Sequence, residues 1–531
     1  MALGVRSSRG LAARGAGQAA RRAAVPPATR VIGAAARRGA AAAPQAAGTP
    51  APRLARIPGA PRPGSAEPLA RAPPPRAASG GASASSPSSS DGANMGAVLA
   101  AVGVACCGAY AFGYHLGVVN GPLDAIAKDL GFAGNKALQG LVVSSTLIGA
   151  AAGSLVGGGF ADALGRRASF MLCALPMLVG PLLSATATSL NPMVAGRFLA
   201  GVAIGLSSAL VPLYISEVAP TKVRGTLGSL NQLMICLGIL GALVVNVALP
   251  MTSWRTMFML AVAPAVILFV GMLGCPESPV HLASKGKRAE AEEVATKLWG
   301  PGGASQLGAA GDSKGAQESG WSDLFKPGLR KGVLIGCMLF VFQQFSGINA
   351  LIYFSSSVFL QAGITSGALA SAAVGATNVV GTLIATGLIE RAGRKQLLMQ
   401  SYFGMAASML IMAAGFTLPG LAPFSGAIAL GGTLFYILSF AIGAGPVSGL
   451  IVPELNDARV RGNAVSAAMV THWVCNVAIG QNFMAWVDAF SLAAVYAGFA
   501  AASLLGAAYI HANVPETKGK SFAEIQKELN A

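Results

Sequence analysis

From Met95 onward the chain is a succession of long apolar runs broken by short polar stretches. Each run could cross a hydrocarbon layer as a helix, which takes about 20 residues. The pattern predicts spans near 95–119, 138–160, 168–190, 193–215, 226–248 and 256–275, then a charged stretch over 276–331. Six more are expected near 332–360, 366–390, 396–416, 425–453, 463–485 and 489–513. Residues 332–389 and 396–453 carry no charged side chain, so each must hold two helices and a tight turn. Within the central stretch, Leu282–Trp299 mixes Lys, Arg and Glu at helical spacing, which reads as a solvated helix.

The polar breaks repeat. After span 2 stands Asp162-x-x-Gly165-Arg166-Arg167, and 228 positions on, after span 8, stands Glu390-x-x-Gly393-Arg394-Lys395. After span 4 come Glu217 and then Arg224-Gly225, and 237 positions on, after span 10, come Glu454 and then Arg461-Gly462. Two ordered matches at nearly one offset indicate parallel halves related by an axis along the membrane normal, as in rocking transporters. The expected fold is an all-α membrane protein of twelve transmembrane helices. Its N-terminal half is 95–275, its central loop 276–331, its C-terminal half 332–515 and its tail 516–531. Asp162, Arg166, Glu217, Arg224, Glu390, Arg394, Glu454 and Arg461 are expected to pair between the halves on one face and to close it. The even-numbered loops hold Arg166, Arg167, Lys222, Arg224, Arg391, Arg394, Lys395, Arg459 and Arg461, against Lys128, Lys136 and Arg255 in the odd ones. That bias places the even loops, the central loop and both termini on the cytosolic or stromal side.

Composition removes other classes. Only 11% of residues are charged and 53% are hydrophobic, whereas soluble proteins carry about 25% charged residues. The net charge of +17 does not describe a nucleic-acid surface. Residues 1–94 hold 13 of the 37 basic residues, all Arg, and only 2 of the 20 acids, so no nucleic-acid partner is expected. That segment is rich in Ala, Pro, Gly and Ser and cannot bury a core, so disorder is expected. An Arg-rich, acid-poor leader is the composition of organelle import sequences. The seven cysteines lack metal-ligand spacing, and no cofactor or metal is implied. No acid or base lies between Lys331 and Glu390 or between Lys395 and Glu454, which argues against an enzyme.

Amides inside apolar runs are the candidate chemistry. One amide both donates and accepts, as a sugar hydroxyl does. Polar groups in spans usually face the bundle interior. The candidates are Gln232, Gln343, Gln344, Asn349, Asn378 and Asn476. Trp473 lies three residues before Asn476, on one helix face, and an indole can stack on a pyranose while its N–H stays free. Gln344 and Asn349 point about 140° apart on an ideal helix, so both reach one ligand only if span 7 unwinds near Ser346-Gly347. For any one of these amides a plain interhelical bond is the alternative.

Several motifs together carry a resemblance. They are Gly165-Arg166-Arg167, Pro212-Leu213-Tyr214-Ile215-Ser216-Glu217 with Arg224-Gly225, Pro276-Glu277-Ser278-Pro279, Gln343-Gln344-Phe345-Ser346-Gly347-Ile348-Asn349 and Pro515-Glu516-Thr517-Lys518-Gly519. Over about 95–525 the chain resembles the sugar porter family of the major facilitator superfamily. The run from Phe112-Gly113-Tyr114-His115 to Asn120-Gly121 resembles its plastidic glucose transporter branch. The resemblance implies uniport of glucose or a similar hexose across the plastid inner envelope by alternating access. It also implies a transit peptide at 1–94 and a monomeric transport unit in the bilayer. The six amides and Trp473 match sugar-contacting positions of that family. Departures are Gly449 in place of a Trp, Ala441 for a Glu, His472 for an amide, Phe354 for a Tyr, and Val280-His281 after the Pro-Glu-Ser-Pro motif, so a wider site is expected. Proton-coupled relatives carry an Asp in span 1 facing an Arg in span 4. Here the pair is His115 and Arg197, and a buried imidazole beside Arg197 is expected to stay uncharged, which favours uniport over proton symport. A titrating His115 is the opposite reading. A non-transporting sugar sensor is a further alternative.

Overall fold

The computed structural model describes residues 93–221, 223–305, 307, 321–457, 460–520 and 522–530, without the side chains of Glu390, Ala523 and Asn530. The expected import leader lies outside these residues, apart from its last two positions. So do Lys222, Arg459 and the Glu390 side chain.

Among the described residues, eleven segments are long and apolar enough to cross a membrane. Spans 1 to 6 are Met95–Gly117, Lys136–Leu164, Arg166–Ala185, Leu190–Val218, Arg224–Ala248 and Met251–Gly274. Spans 7 to 10 are Arg330–Gln361, Gly367–Ile389, Arg394–Thr417 and Pro419–Leu455, and span 12 is Leu492–Asn513. The remaining helix, Arg461–Phe490, is span 11. It is less apolar because it carries Thr471, His472, Asn476, Gln481 and Asn482 among its neighbours. Side chains set the starts: Asn94 accepts from Ala97 N, Asn135 from Leu138 N and Ser366 from Leu369 N. Glycine brings spans 2 and 4 together. A Cβ on Gly153 would lie 2.2 Å from the Val202 carbonyl oxygen, and one on Gly201 2.0 Å from that of Thr146.

The first part of the central loop packs on the N-terminal half, whereas Leu324 near its end packs on Val460 and Ala464 of the C-terminal half. The loop helix Arg288–Trp299 buries Ala291, Ala295, Leu298 and Trp299, and the indole donates to Val218 O at 2.9 Å. Only its outer face is solvated, where Lys287 pairs with Glu290 and Arg288 with Glu292. The C-terminal helix Phe522–Asn530 docks on the other half, where Lys331 Nζ donates to Leu529 O and Gln526 Nε2 to Leu455 O.

The halves meet on the odd-loop face and through the middle. Asn120, just after span 1, is buried in span 7. Its Nδ2 donates to Ile352 O at 2.5 Å and Ser355 Oγ at 2.8 Å, and its Oδ1 accepts from the backbone N–H and hydroxyl of Ser356. Ser144 donates to Gln481 Oε1, and Gln481 Nε2 donates to Ala137 O. Deeper, Cys236 meets Thr382 and Trp473 meets Ser154. Beyond these, no hydrogen bond or ion pair among the described residues joins the halves across the even-loop face. The expected cross-half pairs are not formed in this state: Arg166 bonds Glu217 and Asp162 within one half, and Arg394 bonds Glu454 within the other. Arg224 and Arg461 are exposed, with no ion pair to a described carboxylate. With the even-loop face apart, its arginines have no opposing carboxylates to reach.

Candidate functional site between the halves

Span 7 breaks where the sequence predicts. Its first helix ends at Phe345, Gly347 adopts φ +98°, and a second helix starts at Ile348. A Cβ on Gly347 would lie 2.4 Å from the Phe499 ring, so glycine serves both backbone and packing. The break turns Asn349 back onto Gln344: Asn349 Nδ2 donates to Gln344 Oε1 at 2.5 Å. Gln344 Nε2 then donates to Gln343 Oε1 at 3.2 Å and contacts His472 Nδ1 at 2.9 Å. Gln343 Nε2 donates to Ala444 O at 2.7 Å, at the start of the second helix of span 10. Three buried amides and a half-buried imidazole thus form one directional relay. Because the Gln344 amide donates, His472 Nδ1 accepts and its proton sits on Nε2.

Asn476 joins from span 11. Its Oδ1 accepts from the Tyr353 hydroxyl at 3.2 Å, while its buried Nδ2 has no hydrogen-bond partner. Trp473 is fully buried, 5.5 Å from the Phe112 ring and 4.9 Å from that of His472. Its N–H is not free as expected: it donates to Ser154 Oγ at 2.8 Å, across the halves. Gln232 is half-buried on span 5, with its amide 3.6 Å from Cys236 Sγ, and Asn378 is buried on span 8. No direct bond links those two to the relay.

The departures fare differently. A Cβ built on Gly449 meets no atom within 4 Å, in keeping with a bare wall. Ala441 opens no space: a Cβ on Gly381 would lie 2.6 Å from the Ala441 Cβ, so spans 8 and 10 close over it. Phe354 stacks on Phe483 at 5.2 Å, in the core. At the span 1 to span 4 contact, Arg197 Nη1 donates to the backbone carbonyl of His115 at 3.0 Å, and its Nε to Val142 O. Neither ring nitrogen of His115 has a partner, and no described carboxylate bonds Arg197.

On the even-loop side, two carboxylates missed as functional residues hold the repeated motifs. Glu277 accepts from the backbone N–H of Arg166 and Arg167 at 2.9 and 3.1 Å. Glu516 accepts from those of Arg394 and Lys395 at 2.8 and 3.0 Å. The signal was present: Pro-Glu stands at 276–277 and again at 515–516, a third repeat at an offset of 239.

Comparison with known proteins agrees with this architecture. The family described as "Sugar (and other) transporter" matches residues 101–529. The chain is 49% identical to plastidic glucose transporter 4 of Arabidopsis thaliana, over 84% of this chain and 83% of that one. It is 39% identical to the glucose transporter GlcP of Staphylococcus epidermidis, over 80% of this chain and 95% of that one. The xylose transporter XylE of E. coli, in a partially occluded inward open conformation, superposes with a TM-score of 0.70 at 28% identity, over 80% of this chain and 100% of that one. Broken spans, buried amides between two repeated halves, and sequence likeness along nearly the whole membrane part converge: the chain belongs to the sugar transporter family, with the twelve-helix major facilitator fold.

Proposed function

We propose that the chain carries glucose or a similar hexose across the plastid inner envelope by alternating access, as a uniporter. One observation carries the reading: the break at Gly347 gathers Gln343, Gln344, Asn349 and His472 into one relay, beside the unpartnered Asn476 Nδ2. The amides now satisfy each other, so a polyol can replace their bonds hydroxyl by hydroxyl without stranding a buried group. Trp473, Gln232 and Asn378 complete the walls. Relatives named as plastidic glucose transporters support the substrate and the organelle. Residues 1–94 then serve as the transit peptide, and the transport unit is a single chain in the bilayer. The halves are 95–275 and 332–515, joined by 276–331 and followed by the tail 516–531.

Uniport rests on the span 1 to span 4 contact. Arg197 is held by backbone carbonyls, which cannot give up or take a proton. A charge on the His115 ring would share that enclosed space with Arg197 and no bonded carboxylate. When the even-loop face closes, Arg224 and Arg461 move within reach of the acids at 162, 217, 390 and 454, and the pairs form the gate.

Uptake of labelled glucose into proteoliposomes, with and without an imposed pH gradient, tests this. Equilibrating uptake indifferent to pH and lost in Gln344→Ala is expected. Proton-driven accumulation above equilibrium would make the protein a symporter, and no uptake would remove glucose as substrate.

A further inference from the structure

The two halves repeat their even-loop motifs, but not what sits on the arginine. In the N-terminal half, His281 lies 239 positions before Lys520 and places Nδ1 2.7 Å from Arg166 Nη1. In the C-terminal half, Lys520 turns away to Glu528 at 2.5 Å. What remains is a cavity of about 300 Å³ lined by Arg394, Glu454, Arg461, Thr517, Lys520 and Phe522, among others.

We propose that this cavity binds a phosphate group, either free or as the headgroup of a membrane lipid. Glu454 is already divided: Oε1 accepts from Arg394 Nη2 at 3.2 Å and Oε2 from the Thr517 hydroxyl at 2.6 Å. Glu528 is engaged by Lys520. Arg461 is exposed on the wall with no ion pair to a described carboxylate, and the described lining sets Arg394, Arg461 and Lys520 against the one carboxylate of Glu454. Arg461 also opens span 11, a helix of 30 residues whose N-terminus no side chain caps. The positive end of that helix adds to the field. Guanidinium forks match the geometry of phosphate oxygens, and a lysine adds a mobile charge. The site does not depend on which sugar is carried.

The test is the melting temperature of the full chain in phosphatidylcholine nanodiscs, titrated with inorganic phosphate at constant ionic strength against chloride. A saturable rise is expected, as binding to the folded state requires. Arg461→Gln and Lys520→Gln should each raise the half-saturating concentration by about tenfold, the loss of roughly one charge-assisted bond. Lys520→Gln alters only a partly exposed pair and keeps the test alive if Arg461→Gln does not fold. Nanodiscs with phosphatidic acid separate the sources. A headgroup occupant raises the melting temperature and makes added phosphate ineffective, whereas a free-phosphate site leaves the titration unchanged. No saturable rise in either membrane, or a rise unaltered by both substitutions, overturns the proposal.

Discussion

The starts of spans 3 and 9 share one backbone design and differ in their charges. Gly165 has φ +91°, ψ 162°, and Gly393 has φ +89°, ψ 160°. Each is followed by two N–H groups taken by one carboxylate, Glu277 or Glu516. The second cation of each pair reaches carbonyls at the end of the neighbouring span: Arg167 those of Met272 and Leu273, Lys395 that of His511. Then the halves diverge. Arg166 grips Glu217 with two bonds of 2.8 Å, and both side chains are less than one-tenth exposed. Arg394 holds Glu454 through one longer bond, and Glu454 is 31% exposed. The backbone frame is therefore what duplication keeps. The strength of the ion pair is a separate variable, set by burial, and here the N-terminal half is sealed while the C-terminal half is open.

The largest expected effect separates them directly. Arg166→Ala leaves Glu217 buried without its partner and should cost about 3–5 kcal/mol. Arg394→Ala releases a carboxylate that water can reach and should cost about 1 kcal/mol. Melting temperatures of the two purified variants check this. Equal losses would mean that Glu454 is as dependent on its arginine as Glu217, and the asymmetry would be one of geometry alone.

Much of this was legible in the sequence, and the reasons are local. Span positions follow from apolar run length, and the unwinding at Gly347 follows from the angle between Gln344 and Asn349 with a glycine between them. The motifs at 162–167 and 390–395 announced the two halves. What the sequence did not convey depends on partners in the other half. Trp473 reads as a free indole because nothing near it in the chain accepts its N–H, yet Ser154, 319 positions away, does. Asn120 sits just after a span, outside any periodic pattern, and its hydrogen-bond partners at 352–356 arrive only when the halves dock. Ala441 looks like missing bulk until Gly381 is seen to close over it. The pairs made within each half were not legible for a related reason: the repeated motifs do not say that Arg166 meets Glu217, or Arg394 meets Glu454, inside one half.

A second test asks whether the frame is as symmetric as its torsion angles. A Cβ on Gly165 would lie 2.6 Å from Glu277 Oε2, and one on Gly393 2.7 Å from Glu516 Oε2. Positive φ adds strain to each. Gly165→Ala and Gly393→Ala should each cost about 1–3 kcal/mol, and by similar amounts. Similar falls in melting temperature would establish that the frames are interchangeable. A clear difference would locate part of the asymmetry in the backbone itself.

The smallest expected effect lies in the pH dependence, and its sign differs in origin between the halves. Burial, and then the neighbouring Arg166 charge, hold the His281 imidazole below its ordinary range near 6.5. A neutral ring accepts from Arg166, whereas a protonated one has no lone pair left at Nδ1 and adds a second positive charge. The folded state therefore binds this proton less readily than the unfolded chain. Stability from this contact is complete above about pH 6.5, and it is lost as pH falls below that toward the folded pKa. Glu516 resists until lower pH. Burial pushes its carboxyl up, but four backbone N–H bonds, from Lys518, Arg394, Lys395 and Thr517, outweigh it and hold it below the usual carboxylate range. Its contribution fades only as pH falls through about 4 and below. The melting temperature should thus drop slightly between pH 7 and 5, and His281→Gln should flatten that drop while leaving the steeper loss near pH 4. A profile unchanged by His281→Gln would place the acid sensitivity elsewhere and leave the imidazole as a filler of the space beside Arg166.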